Sequence, residues 1–252
     1  MFDTNRLLEE LKVTTSSVIV QKDENFDFNK KDEAFIIELG SVLAYGERDL
    51  TQTFTVGDPI GFAEVIAARQ RALRFKKLTD LKLRKFDGVD LRKKANTANV
   101  VSRTIIKYSL GRIFDLKRRG GNILFEEKFL DRNFQLLRRS TYDEGGIIFR
   151  IGQAAHSMYF LEKGSVSLFT ENSKKIAELV SGECFGEAAL INDRRRNYIA
   201  IANQRTSLII IEQGILREEL EKDPPVVRLA VILLLKRLEL MNKLKWADNF
   251  KN

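Results

Sequence analysis

At 252 residues the chain can build two ordinary domains, and 44% hydrophobic with 31% charged residues is the balance of a soluble globular protein. A single cysteine, Cys184, excludes an internal disulfide framework; residues 1–11 lack the basic-then-apolar order of a secretion signal; and the longest apolar run, Leu229–Leu235, is far below the roughly 18 residues that cross a bilayer, so a cytoplasmic location is expected. The net charge of +8 is uneven: residues 69–119 hold 17 Lys/Arg against four Asp, leaving −5 for the rest.

That basic stretch could attract nucleic acid or an anionic surface. It carries no interleaved aromatics for stacking bases, and the plainer reading is a solvated strand-and-helix face.

In chain order, Thr4–Leu11 reads as a short helix. From Ser17 to Leu91 β-favouring runs alternate with turns, at Val18–Val20, Ala34–Leu39, Val42–Tyr45, Thr51–Val56, Leu73–Phe75 and Leu81–Phe86. Asn96–Leu116 switches to a helical period, with Val100, Ile105, Ile106, Leu110 and Ile113 on one stripe. Lys117–Asn122 joins a charge run to Gly120-Gly121 and reads as a linker.

The second half repeats the plan. Ile123–Thr141 reads as a helix and Gly145-Gly146 as a turn before Ile147–Phe149. Strands are predicted at Met158–Leu161, Val166–Phe169, Ile176–Leu179, Tyr198–Ala202 and Ser207–Ile211. Pro224-Pro225 suits the start of a helix running from Val226 to about Trp246, with Leu229, Leu233, Lys236, Leu240 and Leu244 at spacings of three or four.

The two halves also align residue by residue. Gly57-Asp58-Pro59-Ile60-Gly61-Phe62-Ala63-Glu64 lies over Gly182-Glu183-Cys184-Phe185-Gly186-Glu187-Ala188-Ala189 at an offset of 125, which also carries Arg71 onto Arg196. Upstream, Glu38–Val42 matches Glu162–Val166 at an offset of 124. So long a period exceeds the roughly 20–50 residues of solenoid units and marks a duplicated domain.

The chemistry of the second copy is specific. Gly186 lets backbone approach a ligand, and N–H groups opening a helical turn at Ala188-Ala189 make an anion site. Glu187 beside them suits a hydroxyl rather than a phosphate. Arg196, nine residues on, can neutralise the phosphate through a charge-assisted contact. Together they fit a compact nucleotide with a sugar hydroxyl and one negative phosphate.

On these residues the chain resembles the cyclic-nucleotide-binding domain family, which includes the catabolite activator protein, the regulatory subunits of cyclic-AMP-dependent kinase and the cyclic-nucleotide-gated channels. The family's cassette, Phe-Gly-Glu-Leu-Ala-Leu followed by Pro-Arg-Ala-Ala, stands here as Phe185–Leu190 and Arg195–Tyr198. Gly146–Gly152 and Tyr159–Val166 match the upstream pattern. The resemblance implies a mainly β fold with flanking helices: two tandem jelly-roll β-barrels, a degenerate one over 1–119 and a second over 120–252 that ends in the long helix. No helix-turn-helix is expected. The implied ligand is cAMP or cGMP, held by Gly186, Glu187, Ala188, Ala189, Arg196 and Asn197.

Some positions depart from the family. Arg195 replaces Pro, and Asn197-Tyr198 replace two small residues, so that Tyr198 and Ile199 crowd the base. In the first copy Gly61 and Arg71 persist, but Phe62 stands where the ribose carboxylate would be. A site without that acceptor binds the family's ligand poorly or binds something else.

No nucleophile–base pair, metal cluster or triphosphate loop is present in the sequence, so no enzyme and no catalytic cofactor are expected. His156 reads as a surface residue and Cys184 as a small buried apolar one. Arg138-Arg139-Ser140-Thr141 looks like a kinase site, but reads better as a helix end whose cations favour the dipole.

Three functions follow: a cyclic-mononucleotide sensor acting on a protein partner in trans, a ligand-free interaction scaffold, or a nucleic-acid-binding regulator using residues 69–119. In the first, the Val226–Trp246 helix closes over the second lobe when ligand binds.

Overall fold

The structure is a computed structural model describing residues 4–46, 51–71, 73–114, 137–186 and 195–248, without the side chains of 5, 112 and 239–248. The chain forms two compact units, one of Asn99–Asp223 and one joining Asp3–Ala98 to the segment from Pro224 onward.

The discontinuous unit begins with α1 (Thr4–Glu10) and β1 (Ser16–Val20), then β2 (Glu33–Leu39), β3 (Val42–Tyr45), β4 (Thr51–Phe54) and β5 (Pro59–Ile60). A one-turn helix α2 (Phe62–Ile66), β6 (Arg74–Lys77), β7 (Leu81–Asp87) and α3 (Gly88–Thr97) complete the β-unit. Two antiparallel sheets, in the orders β1-β7-β2-β5 and β4-β3-β6, enclose a core of Phe28, Phe35, Ile37, Val42, Ile60 and Leu83. At the start of β7, Leu81 and Leu83 are buried while Lys82 faces out, the period-two pattern of a half-buried strand; beyond them Arg84 and Phe86 are buried on the opposite parity. Asp87 then caps α3 by accepting from the N–H of Asp90.

The continuous unit opens with α4 (Val100–Ile113), then β8 (Arg138–Tyr142), β9 (Ile147–Phe149), β10 (Ser157–Lys163), β11 (Ser165–Phe169), β12 (Lys175–Val180), β13 (Cys184–Phe185), β14 (Ile199–Ala202), β15 (Thr206–Glu212) and α5 (Gln213–Glu221). Its sheets run β13-β10-β15-β8 and β12-β11-β14-β9 around Tyr159, Leu161, Val166, Leu179, Phe185 and Leu208. Asn99 caps α4 through its side-chain oxygen, and its amide N–H and side-chain NH2 donate to the Asp223 carboxylate. The two points where the chain passes between units, 98/99 and 223/224, are thereby pinned side by side.

The duplication extends to strand register. Phe35 pairs with Lys85 and Ile60 as Tyr159 pairs with Ile210 and Phe185; Val42 pairs with Phe54 and Lys77 as Val166 pairs with Leu179 and Ala202. The register slips at Glu38 in one copy and at Glu162 in the other, so even the bulge is shared. Both copies are jelly-roll β-barrels with flanking helices, as expected.

Three sequence expectations are corrected. Arg138–Thr141 lies in the strand β8 and is not a helix end: each of its residues pairs with one of Ser207–Ile210 of β15. The rest of the predicted 123–141 helix, up to residue 136, lies outside the described residues. The helical region after β7 starts at Gly88, earlier than Asn96, and breaks at Ala98.

The long helix α6 (Pro225–Asp248) is the third. It packs with the first β-unit, against α1, α2 and α3, where the sequence reading had set it over the second lobe. Val227, Ala230, Val231, Leu234, Leu235 and Leu238 are buried, and Arg228 and Arg237 reach Glu10 and Glu64. Those ion pairs add to the apolar contact that the buried stripe makes with the first β-unit.

Candidate functional site

In the second lobe Arg196 is 3% exposed. Its Nη1 donates to the Gly186 carbonyl at 3.0 Å and its Nη2 to the Ser157 carbonyl at 2.5 Å. The guanidinium carbon lies 4.3 Å from the Phe149 ring centroid and 5.4 Å from that of Tyr159, and Tyr159 stacks on Phe185 at 5.1 Å. An arginine over two ring faces gains cation–π attraction that lysine would share poorly. Its backbone is fixed too: the Arg196 N–H donates to Gln153, and its carbonyl accepts from Gly152.

Gly186 has φ +81°, and a Cβ there would lie 2.8 Å from Arg196 Nη1 and 3.1 Å from the Tyr159 ring. Glycine at 186 is thus required both by its backbone and by the guanidinium beside it. Asn197 is exposed next to this corner. Glu187, Ala188 and Ala189 lie outside the described residues. The structure brings Gly186 and Arg196 together, and Ser157, Phe149 and Tyr159, which the sequence did not single out, hold the guanidinium from strands 37 to 47 residues away.

The first lobe repeats the corner with altered parts. Arg71 Nη2 donates to the Glu33 carbonyl, the counterpart of Ser157, and its guanidinium lies 6.0 Å from the Phe35 centroid. Gly61 again has φ +81° and leaves no room for a Cβ beside Arg71. Phe62, in the place of Glu187, turns into the core and packs edge-on against Phe86 at 5.0 Å.

Glu64, three residues after Gly61, is 5% exposed and accepts two bonds from Arg237 of α6, at 2.8 Å and 2.6 Å. Burial pushes its carboxyl up, but the hydrogen bonds and charge of Arg237, with the charge of Arg71, outweigh burial and hold it below the usual carboxylate range. Burial pulls the Arg71 guanidinium down from its ordinary value; the carboxylate of Glu64 opposes that effect and the cation of Arg237 adds to it. A cavity of about 30 Å³, room for roughly one water, lies among Phe54, Asp58, Gly61, Leu73, Phe75 and Arg237. Nothing in the local sequence singled out Glu64, because its partner is 173 residues away.

Five cations of the basic stretch are paired with acids of the first lobe. Lys82 and Arg84 contact Glu38, Lys85 contacts Glu33, Arg92 contacts Asp32 and Lys94 contacts Asp90. His156 is exposed, Cys184 is buried in β13, and among the described residues no His/Cys/Asp/Glu group could hold a metal. Among the described residues no helix is long and apolar enough to cross a membrane.

Residues 139–223 match the family model of the cyclic nucleotide-binding domain, and this segment carries that domain. The chain is 37% identical over 78 residues to a cyclic nucleotide-gated potassium channel of Mesorhizobium japonicum, covering 31% of this chain and 21% of the channel. Among solved structures, the cAMP-bound form of EAL enzyme Bd1971 is 32% identical, with 45% of this chain and 31% of that one covered and a TM-score of 0.40. A regulatory subunit of a cAMP-independent protein kinase A from Trypanosoma brucei is 17% identical, with 97% and 86% covered and a TM-score of 0.39. The chain spans less than a quarter of the length of the curated relatives it matches.

Proposed function

We propose that the second lobe binds a cyclic mononucleotide, cAMP or cGMP, and that the protein is a cytoplasmic regulator signalling through a protein partner in trans rather than an enzyme. The observation that carries this reading is Arg196, buried on two aromatic rings under Gly186 within the matched domain. In this role Arg196 neutralises the cyclic phosphate, the N–H groups of Ala188 and Ala189 cradle it, Glu187 accepts from the ribose hydroxyl, and Asn197 borders the base. Gly61 and Arg71 keep the corresponding corner of the first lobe, which does not take the nucleotide. The ligand site falls within the 120–252 lobe of the sequence division.

Calorimetric titration of the purified chain with cAMP and with cGMP tests this. Saturable heat with either, lost in Arg196→Ala, supports the sensor; no heat with both leaves the scaffold reading.

A further inference from the structure

The second lobe offers a buried guanidinium at its cassette; the first lobe adds a buried carboxylate to its own. We propose that the first lobe is a guanidinium-binding site whose ligand is an arginine side chain on a helix, supplied in this chain by Arg237 of α6. This inference is independent of nucleotide binding in the second lobe.

The geometry favours that ligand over others. Glu64 meets Arg237 with both oxygens, the fork-on-fork arrangement that a planar guanidinium makes and a lysine ammonium cannot. With Arg237 in place the Glu64 side chain is only 6% exposed, and removing one partner of such a buried pair leaves the other charge uncompensated. Asp58 lines the same cavity, which adds a second carboxylate against any phosphate. Arg71 lends its charge to Glu64, but its Nη2 donates to the Glu33 carbonyl, and the two hydrogen bonds that Glu64 accepts from a guanidinium come from Arg237. A helix is the right carrier: Leu234, Leu235 and Leu238, beside Arg237 on α6, are each at most 2% exposed, and Arg228, more than two turns earlier, meets Glu10. The conversion rests on two positions. Phe62 replaces the hydroxyl acceptor with a ring packed in the core, and Glu64 supplies a carboxylate that accepts from a guanidinium instead.

Hydrogen exchange across residues 225–248 of the 252-residue chain tests the proposal, with exchange in β2 and β7 as the control for folding. In Arg237→Ala, α6 should exchange roughly a hundredfold faster, as expected when one partner of a buried pair is removed. Millimolar methylguanidinium should restore protection, methylammonium should not, and Glu64→Gln should abolish the rescue. Arg237→Lys should remain as open as Arg237→Ala; it retains charge and stem, so it carries the comparison if the alanine variant does not fold. Wild-type protection in Arg237→Lys, equal rescue by both cations, or unchanged exchange in Arg237→Ala would each overturn the assignment.

Discussion

A guanidinium set on aromatic rings inside a protein keeps its charge at a cost unless dipoles or an anion face it. Arg196 has the carbonyls of Gly186 and Ser157 facing it. Replacing it with alanine should cost about 2–5 kcal/mol of cyclic-nucleotide affinity, roughly two to three decades. The same change at Arg71 should leave the calorimetric isotherm unaltered, and equal loss from both would mean that the two corners had been ranked wrongly.

Glu64 yields a prediction in pH. Its carboxyl sits below the ordinary glutamate value of 4.5 because Arg237 outweighs burial, so the folded form binds that proton less readily than the unfolded chain. Its stabilisation is complete above the ordinary value and is lost as pH falls through the lowered one. Thermal melts of wild type and Glu64→Gln should be well separated at pH 7 and converge below about pH 4. A constant gap would place the effect in packing rather than charge.

At the scale of elements, α6 is a structural part of the first lobe. A chain truncated after Leu235 loses Arg237 and Leu238, and should show faster hydrogen exchange in α2 and α3 while β10 and β15 stay protected. Unchanged exchange in α2 would detach the helix from that lobe.

The strands were legible because alternation and β-branched runs report local burial: β2, β3, β7, β11 and β15 match their sequence readings closely. β8 was not, since Arg138-Arg139-Ser140-Thr141 has no apolar alternation and owes its form to pairing with β15. The spacing of leucines in α6 announced a docking helix, but the acids its arginines meet, Glu10 and Glu64, lie far back in the chain, where no periodicity reveals them. The corner residues Gly186 and Arg196 were legible through the internal repeat, whereas their aromatic floor comes from distant strands.

For the molecule as a whole, the basic stretch is offset within the segment that builds the first β-unit. Residues 3–98 contain 17 Lys/Arg and 16 Asp/Glu, so the excess visible after Arg69 is offset by acids that precede it. Binding to duplex DNA should therefore be weak, independent of sequence and gone by about 200 mM salt. A complex surviving that salt in a filter or mobility assay would revive the nucleic-acid reading.

The pinning of Asn99 to Asp223 bears on how the protein is made. The unit from Asn99 to Asp223 is an insertion within the other unit, and its own fold brings its two ends together. On the ribosome the first lobe is synthesised first but lacks α6, and therefore the counter-ion of Glu64, until the inserted unit has emerged. The insert can reach its final form earlier, and in doing so it shortens the effective loop that α6 must close to return to α1, α2 and α3. Order of synthesis and order of completion are thus reversed: the lobe begun first is finished last.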